Sequence, residues 1–76
     1  MSSEIAVCST IESRIEAVDA AEERVRLFAS DSGVEEEDRY FIGLATREIL
    51  INAVKHGNHF DRNKKVQLKL VKTPSS

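Results

Sequence analysis

Apolar residues recur at two different periods along this chain, and the changes of period divide it into elements. In "EIAVCS", residues 4–9, Ile5 and Val7 alternate with Ala6 and Cys8, the pattern of a short strand. Ser13 and Glu16 then form the S-x-x-E pattern of a capping box. Val18, Ala21, Val25 and Phe28 follow at helical spacing, with Glu22, Glu23, Arg24 and Arg26 outside the stripe, which predicts a helix from about Arg14 to Ser30. "SDSG" closes it, with Gly33 suited to a left-handed helix end. A second helix is predicted from about Glu36 to His56. Glu35, Glu36, Glu37 and Asp38 favour its amino-terminal N–H groups, Lys55 and His56 favour its carbonyl end, and Gly57 terminates it. Tyr40 and Phe41 read as core residues near its start. "GNHFDRN" is a polar loop. "KKVQLKLVK", residues 64–72, alternates Val66, Leu68 and Leu70 against Lys65, Gln67 and Lys69, a half-buried strand that "TPSS" ends.

The order strand-helix-helix-strand predicts an α+β fold of two layers, with the helices on one face of a small sheet. Two strands make a poor sheet by themselves, so the 76 residues read as one truncated domain, 1–76. A composition 41% hydrophobic and 32% charged suits one small globular unit. At such a length folding buries only about 60% of the chain's surface, which leaves stability marginal. Cys8 is the only cysteine, so no internal disulfide compensates; it reads as a buried strand residue, and a lone thiol fits a reducing cytoplasm. No run approaches the roughly 18 apolar residues of a membrane span.

Charge is unevenly divided. Residues 1–45 carry eleven acidic and four basic side chains, a net of −7, and residues 46–76 carry two and seven, a net of +5, which together give −2. A basic half attracts anions in general. Lys64, Lys65, Lys69 and Lys72 come without aromatic stacking partners, however, so they read as a solvated strand face that discourages edge pairing and not as a nucleic-acid site. His56, His59, Asp61 and Cys8 have no established zinc spacing and read as loop and strand residues.

The chemistry concentrates in "REILINAVKHGNHFD", residues 47–61. At 100° per residue, Glu48, Asn52 and Lys55 share a sector of about 60°, with Phe41, Leu44 and Ala45 on the same side one or two turns earlier. Apolar residues fill most other directions, so the helix is expected to be largely buried and to direct Glu48 and Asn52 into a shared groove. A carboxylate and an amide oxygen four residues apart suit Mg²⁺, a hard cation that keeps several waters, and Lys55 one turn on suits a phosphate. A structural helix with a satisfied polar edge fits the same spacing.

"E-I-L-I-N-A-V-K-H-G" resembles the N-box of the histidine-kinase-like ATPases of the Bergerat fold, and its E-x-x-x-N-A-x-x-H-G form most resembles the anti-sigma-factor serine kinases. The resemblance extends over roughly residues 4–72: first helix, glycine turn, acidic helix start and box. It implies that Asn52 coordinates magnesium, that Glu48 polarises the attacking hydroxyl or water as general base, and that Lys55 is directed at the phosphates. His56 and Gly57 match the pair that closes the helix beside the nucleotide, with a plain capping role as the alternative for His56. The implied cofactors are ATP and Mg²⁺, and the implied partners are a sigma factor and an anti-sigma-factor antagonist phosphorylated on serine.

The sequence also departs from that family. No D-x-G-x-G segment for the adenine amino group and no glycine-rich lid occur; the three glycines are Gly33, Gly43 and Gly57. The expectation is an N-terminal half of a serine-kinase domain with impaired nucleotide binding and a tendency to form a weak homo-oligomer. The alternatives are a non-catalytic interaction module binding a sigma factor or antagonist, and a fragment of a sensor histidine kinase.

Overall fold

The computed structural model describes residues 5–72. Glu4, where the first strand was expected to begin, and the tail at 73–76 lie outside the described residues. Strand β1 (Ile5–Glu12) is followed by helix α1 (Ile15–Asp31), helix α2 (Glu36–Asn52), a π-helical turn (Ala53–Gly57) and strand β2 (Lys65–Lys72). The fold is α+β: two packed helices and a two-stranded antiparallel sheet, in the order strand-helix-helix-strand.

The strands pair along their whole length, from Ile5 opposite Lys72 to Glu12 opposite Lys65. β1 continues past the predicted end at residue 9 because Thr10 and Ile11 are β-branched and find partners in Gln67 and Val66. Side chains alternate between faces. Val7, Ser9 and Ile11 therefore face inward with Leu70, Leu68 and Val66, and Ile11 is almost fully buried. Ala6, Cys8, Thr10 and Glu12 take the opposite face, where Thr10 Oγ1 donates to Gln67 Oε1 at 3.1 Å. That parity exposes Cys8, contrary to its expected burial.

α1 buries Val18, Ala21, Val25 and Ala29. Its expected capping box does not form. Arg14 is the N-cap and caps nothing with its side chain, while the buried Ser13 hydroxyl donates to the carbonyl of Lys64 and accepts from Asn58 Nδ2 at 3.0 Å. A distant partner outcompetes the local one. At the other end Gly33 (φ 84°) reverses the chain, with Gly33 N–H bonded to Ser30 and Val34 N–H to Ala29, each at 3.0 Å. This paired arrangement satisfies the last carbonyls of a helix.

The core consists of Ile11, Val18, Ala21, Leu50 and Val54, with Ala17, Ile51, Val66 and Leu68 packed around it. α2 contributes less than its apolar content suggests: only Gly43 and Leu50 are buried, and Tyr40 and Phe41 are 53% and 57% exposed. The expectation of a largely buried helix is therefore corrected. One neighbouring helix and a two-stranded sheet cover a single side of α2 and leave the other in solvent.

Candidate functional site

The acidic start of α2 is as its charges predict, with Glu36, Glu37 and Asp38 in the first turn, where negative charge meets unpaired N–H groups. The helix runs without interruption through Glu48 and Asn52, so the two stand one turn apart on the same face. That face is opposite Gly43 and Leu50, and it also carries Phe41, Leu44 and Ile49, all exposed. Glu48 and Asn52 are themselves exposed. They share a surface but not a groove. Neither lines the cavity of about 350 Å³ between the end of α1, Ile42 and Leu70, nor the shallow one beside Tyr40 and Phe41. The expected groove needs a second wall, and no described element stands opposite this face.

The end of the helix departs from the sequence extrapolation. Asn58 N–H bonds the carbonyl of Ala53, five residues back, at 2.8 Å, so Ala53–Gly57 is a single π turn. Such turns are rare and advance less per residue than an α-helix, so Lys55 lags behind the direction that 100° steps assign it. Lys55 and His56 remain exposed in the last turn, beside the carbonyl end of the helix. Gly57 adopts no positive φ, and a side chain there would meet nothing within 4 Å. The left-handed residues are instead His59 (φ 51°) and Phe60 (φ 55°), neither of them glycine. Asn58 pins this turn to Ser13 at the junction of β1 and α1.

A second set of residues fixes the orientation of α2 against α1, and only geometry finds it. Arg47 of α2 reaches Asp19 and also Glu22 Oε1 (3.2 Å) on α1. Arg26 binds Glu22 Oε2 at 2.6 Å, bonds the carbonyl of Arg39 at 3.4 Å, and lies 5.3 Å from the Tyr40 ring centre. Arg47 and Glu48 are adjacent in sequence, so anchoring Arg47 to α1 turns Glu48 outward. The hydrogen bond from Arg26 pulls the Glu22 carboxyl below its ordinary pKa; partial burial opposes this, and Arg47 reinforces it. The sequence signal was there, in Glu22 and Arg26 at i, i+4, though the partner across the helices was not.

The donor chemistry of the outer face fits magnesium nucleotide in one respect. Mg²⁺ in nucleotide sites is held by one or two protein oxygens together with phosphates and water, and Glu48 and Asn52 supply oxygens of those kinds. No group of three or more His, Cys, Asp or Glu among the described residues would hold a metal unaided. A family model of the histidine kinase-like ATPase domain matches residues 11–76.

The chain belongs to the histidine kinase-like ATPase domain family.

No curated protein and no solved structure matches it. Family membership makes ATP with Mg²⁺ the general ligand class, and it fits the strand-helix-helix-strand order around α2. No described helix is long and apolar enough to cross a membrane.

Proposed function

We infer that this histidine kinase-like ATPase domain presents the magnesium and phosphate wall of an ATP site, and that it is of the anti-sigma-factor serine-kinase type, working in the cytoplasm. The observation that carries the reading is the uninterrupted helix from Glu48 to Asn52, with both side chains on one solvent-facing surface and Lys55 just beyond. In this reading Asn52 holds Mg²⁺, and Glu48 accepts the proton of the attacking hydroxyl. Lys55, with His56 and Gly57 beside it, borders the phosphates. A bound ATP supplies the transferable phosphoryl group. The residues of this chain position it and neutralise its charge. A sigma factor and an anti-sigma-factor antagonist are the proposed protein partners, from the form of the box.

Affinity should be low. The site is open, so water and salt screen the polyphosphate charge. The 76 residues also hold no D-x-G-x-G segment to hydrogen-bond adenine, and specificity built on buried hydrogen bonds requires those groups to be present. Catalysis should suffer more than binding, because phosphoryl transfer depends on positioning. The test is titration of magnesium-ATP followed by amide NMR. The expected result is a dissociation constant of about 1 mM or weaker, with shifts centred on 48–57 that Asn52→Ala abolishes. Micromolar binding would contradict the open one-sided site. Shifts absent from 48–57 at saturating nucleotide would reject the ATP reading and leave an interaction module, which the exposed Phe41 and Ile49 on the same face favour.

A further inference from the structure

The wide turn that ends α2 is held from outside the helix. Asn58 N–H bonds the Ala53 carbonyl at 2.8 Å, and Phe60 N–H bonds the Val54 carbonyl at 2.9 Å. In an α-helix Asn58 N–H would use the Val54 carbonyl, which is already engaged. The chain then passes through His59 (φ 51°) and Phe60 (φ 55°), a left-handed pair that side chains disfavour. Two successive residues of that kind persist only where their surroundings hold them. Ser13 supplies the hold. Its hydroxyl accepts from Asn58 Nδ2 at 3.0 Å and donates to the Lys64 carbonyl, so one oxygen grips both ends of residues 58–64. Inside that loop Asp61 N–H bonds the Asn58 carbonyl at 2.9 Å, and Lys64 N–H bonds the Asp61 carbonyl at 3.0 Å. Ser13 is buried and follows the last strand pair, Glu12 with Lys65.

We propose that Ser13 and Asn58 are positioning residues for the phosphate edge of the site, a role that rests on the ATP reading of that face. Their hydrogen bond keeps the turn at Ala53–Gly57 wide, and so sets the direction from which Lys55 meets a nucleotide's phosphates. The mechanics are local. Val54 is fully buried in the core, so the inner side of the turn is fixed. Lys55 is the next residue and is exposed, and the winding of the backbone between Val54 and Asn58 decides where it points. Once Asn58 is released from Ser13, the turn can tighten to the α-helical pattern. Phe60 then gives up the Val54 carbonyl to Asn58, Gly57 takes the Ala53 carbonyl, and Lys55 swings around the helix axis. A lysine is a point charge on a flexible stem, so a fixed base limits the ordering that phosphate contact would otherwise cost it. Ser13 acts through Lys55 and does not itself meet the nucleotide.

Two readouts on the 76-residue chain test this. Without nucleotide, amide exchange at Asn58 and Phe60, followed by NMR, should be about tenfold faster in Ser13→Ala and in Asn58→Ala. Protection at Val18 and Leu50 should stay as in the parent, which shows that the core is intact. If Ser13→Ala loses that protection, Asn58→Ala at its half-buried position decides the matter. With magnesium-ATP, the same variant should weaken binding about fivefold, the ratio that one net hydrogen bond corresponds to. In a Lys55→Ala background it should change nothing. A loss of equal size in both backgrounds is what a purely structural role predicts, and it would overturn the proposal. Unchanged exchange at Asn58 and Phe60 would overturn it too, whether or not ATP binds. Faster exchange with no nucleotide shifts at 48–57 in the parent would reject the ATP reading, and the positioning role with it, leaving Ser13 a clamp of the fold alone.

Discussion

Glycine within a helix ordinarily weakens it by about 1 kcal/mol against alanine, through the entropy of the unfolded chain. Gly43 reverses that expectation. It is buried, and a methyl group there would collide with the Arg26 guanidinium that lies across it. Arg26 is a flexible side chain whose tip can move aside, at the cost of straining its bonds to Glu22 and Arg39 and its place over Tyr40. Hydrogen bonds to charged groups contribute about 1.5–3 kcal/mol each, less where water shares them. Gly43→Ala should therefore destabilise the domain by about 1 kcal/mol rather than stabilise it. Urea denaturation measures this, and a variant more stable than the parent would show that the guanidinium is not held there. Sequence pattern gives no hint of this role for Gly43 within the second helix, because its reason lies in a side chain of α1.

Between the two helices, Glu22 accepts from Arg26 and Arg47 at once. The Arg26 hydrogen bond is the main reason its carboxyl titrates below the ordinary 4.5. The sign follows from linkage. A carboxyl whose folded pKa is depressed contributes stability that is fully present above its unfolded value and is lost as pH falls through the folded one. Acid should therefore loosen the helix pair from about pH 4.5 downward, and Glu22→Gln should flatten that part of the stability profile while lowering stability at neutral pH. Equal acid slopes in the two proteins would remove Glu22 as the cause. The elements themselves were largely legible. β2 showed its period of two because one face is covered, and α2 announced its start in four acidic residues. Burial was less legible. The apolar residues of α2 lie nearly all round it, and sequence alone does not say that only the side of Gly43 and Leu50 meets a neighbour. Ser13 was misread for a related reason: S-x-x-E is visible locally, whereas the carbonyl of Lys64 is 51 residues away. At the site, the spacing of Glu48 and Asn52 was readable, but the groove was not, since a groove requires a second wall from elsewhere.

The described part of the molecule rests on seven buried apolar side chains, within overall extents of 40 × 28 × 15 Å. So thin a body has little interior, and its stability should be correspondingly small. Calorimetry should find a transition below about 70 °C, within or near the usual 45–65 °C of such domains, and its midpoint should rise with protein concentration, because association stabilises the folded form by mass action. A high, concentration-independent midpoint would contradict both statements. The pairing of β1 with β2 has a further consequence, for the order of events during synthesis. Thr10 and Gln67 are partners 57 positions apart, so β1 leaves the ribosome long before its partner exists. The α1–α2 hairpin, built from contacts close in sequence, can form within that interval, while β1 waits without the strand that pairs its backbone. Loop closure of that span comes last, so non-local contacts set the folding rate. A chaperone that binds extended apolar strands should therefore engage nascent β1, and should release it when β2 emerges.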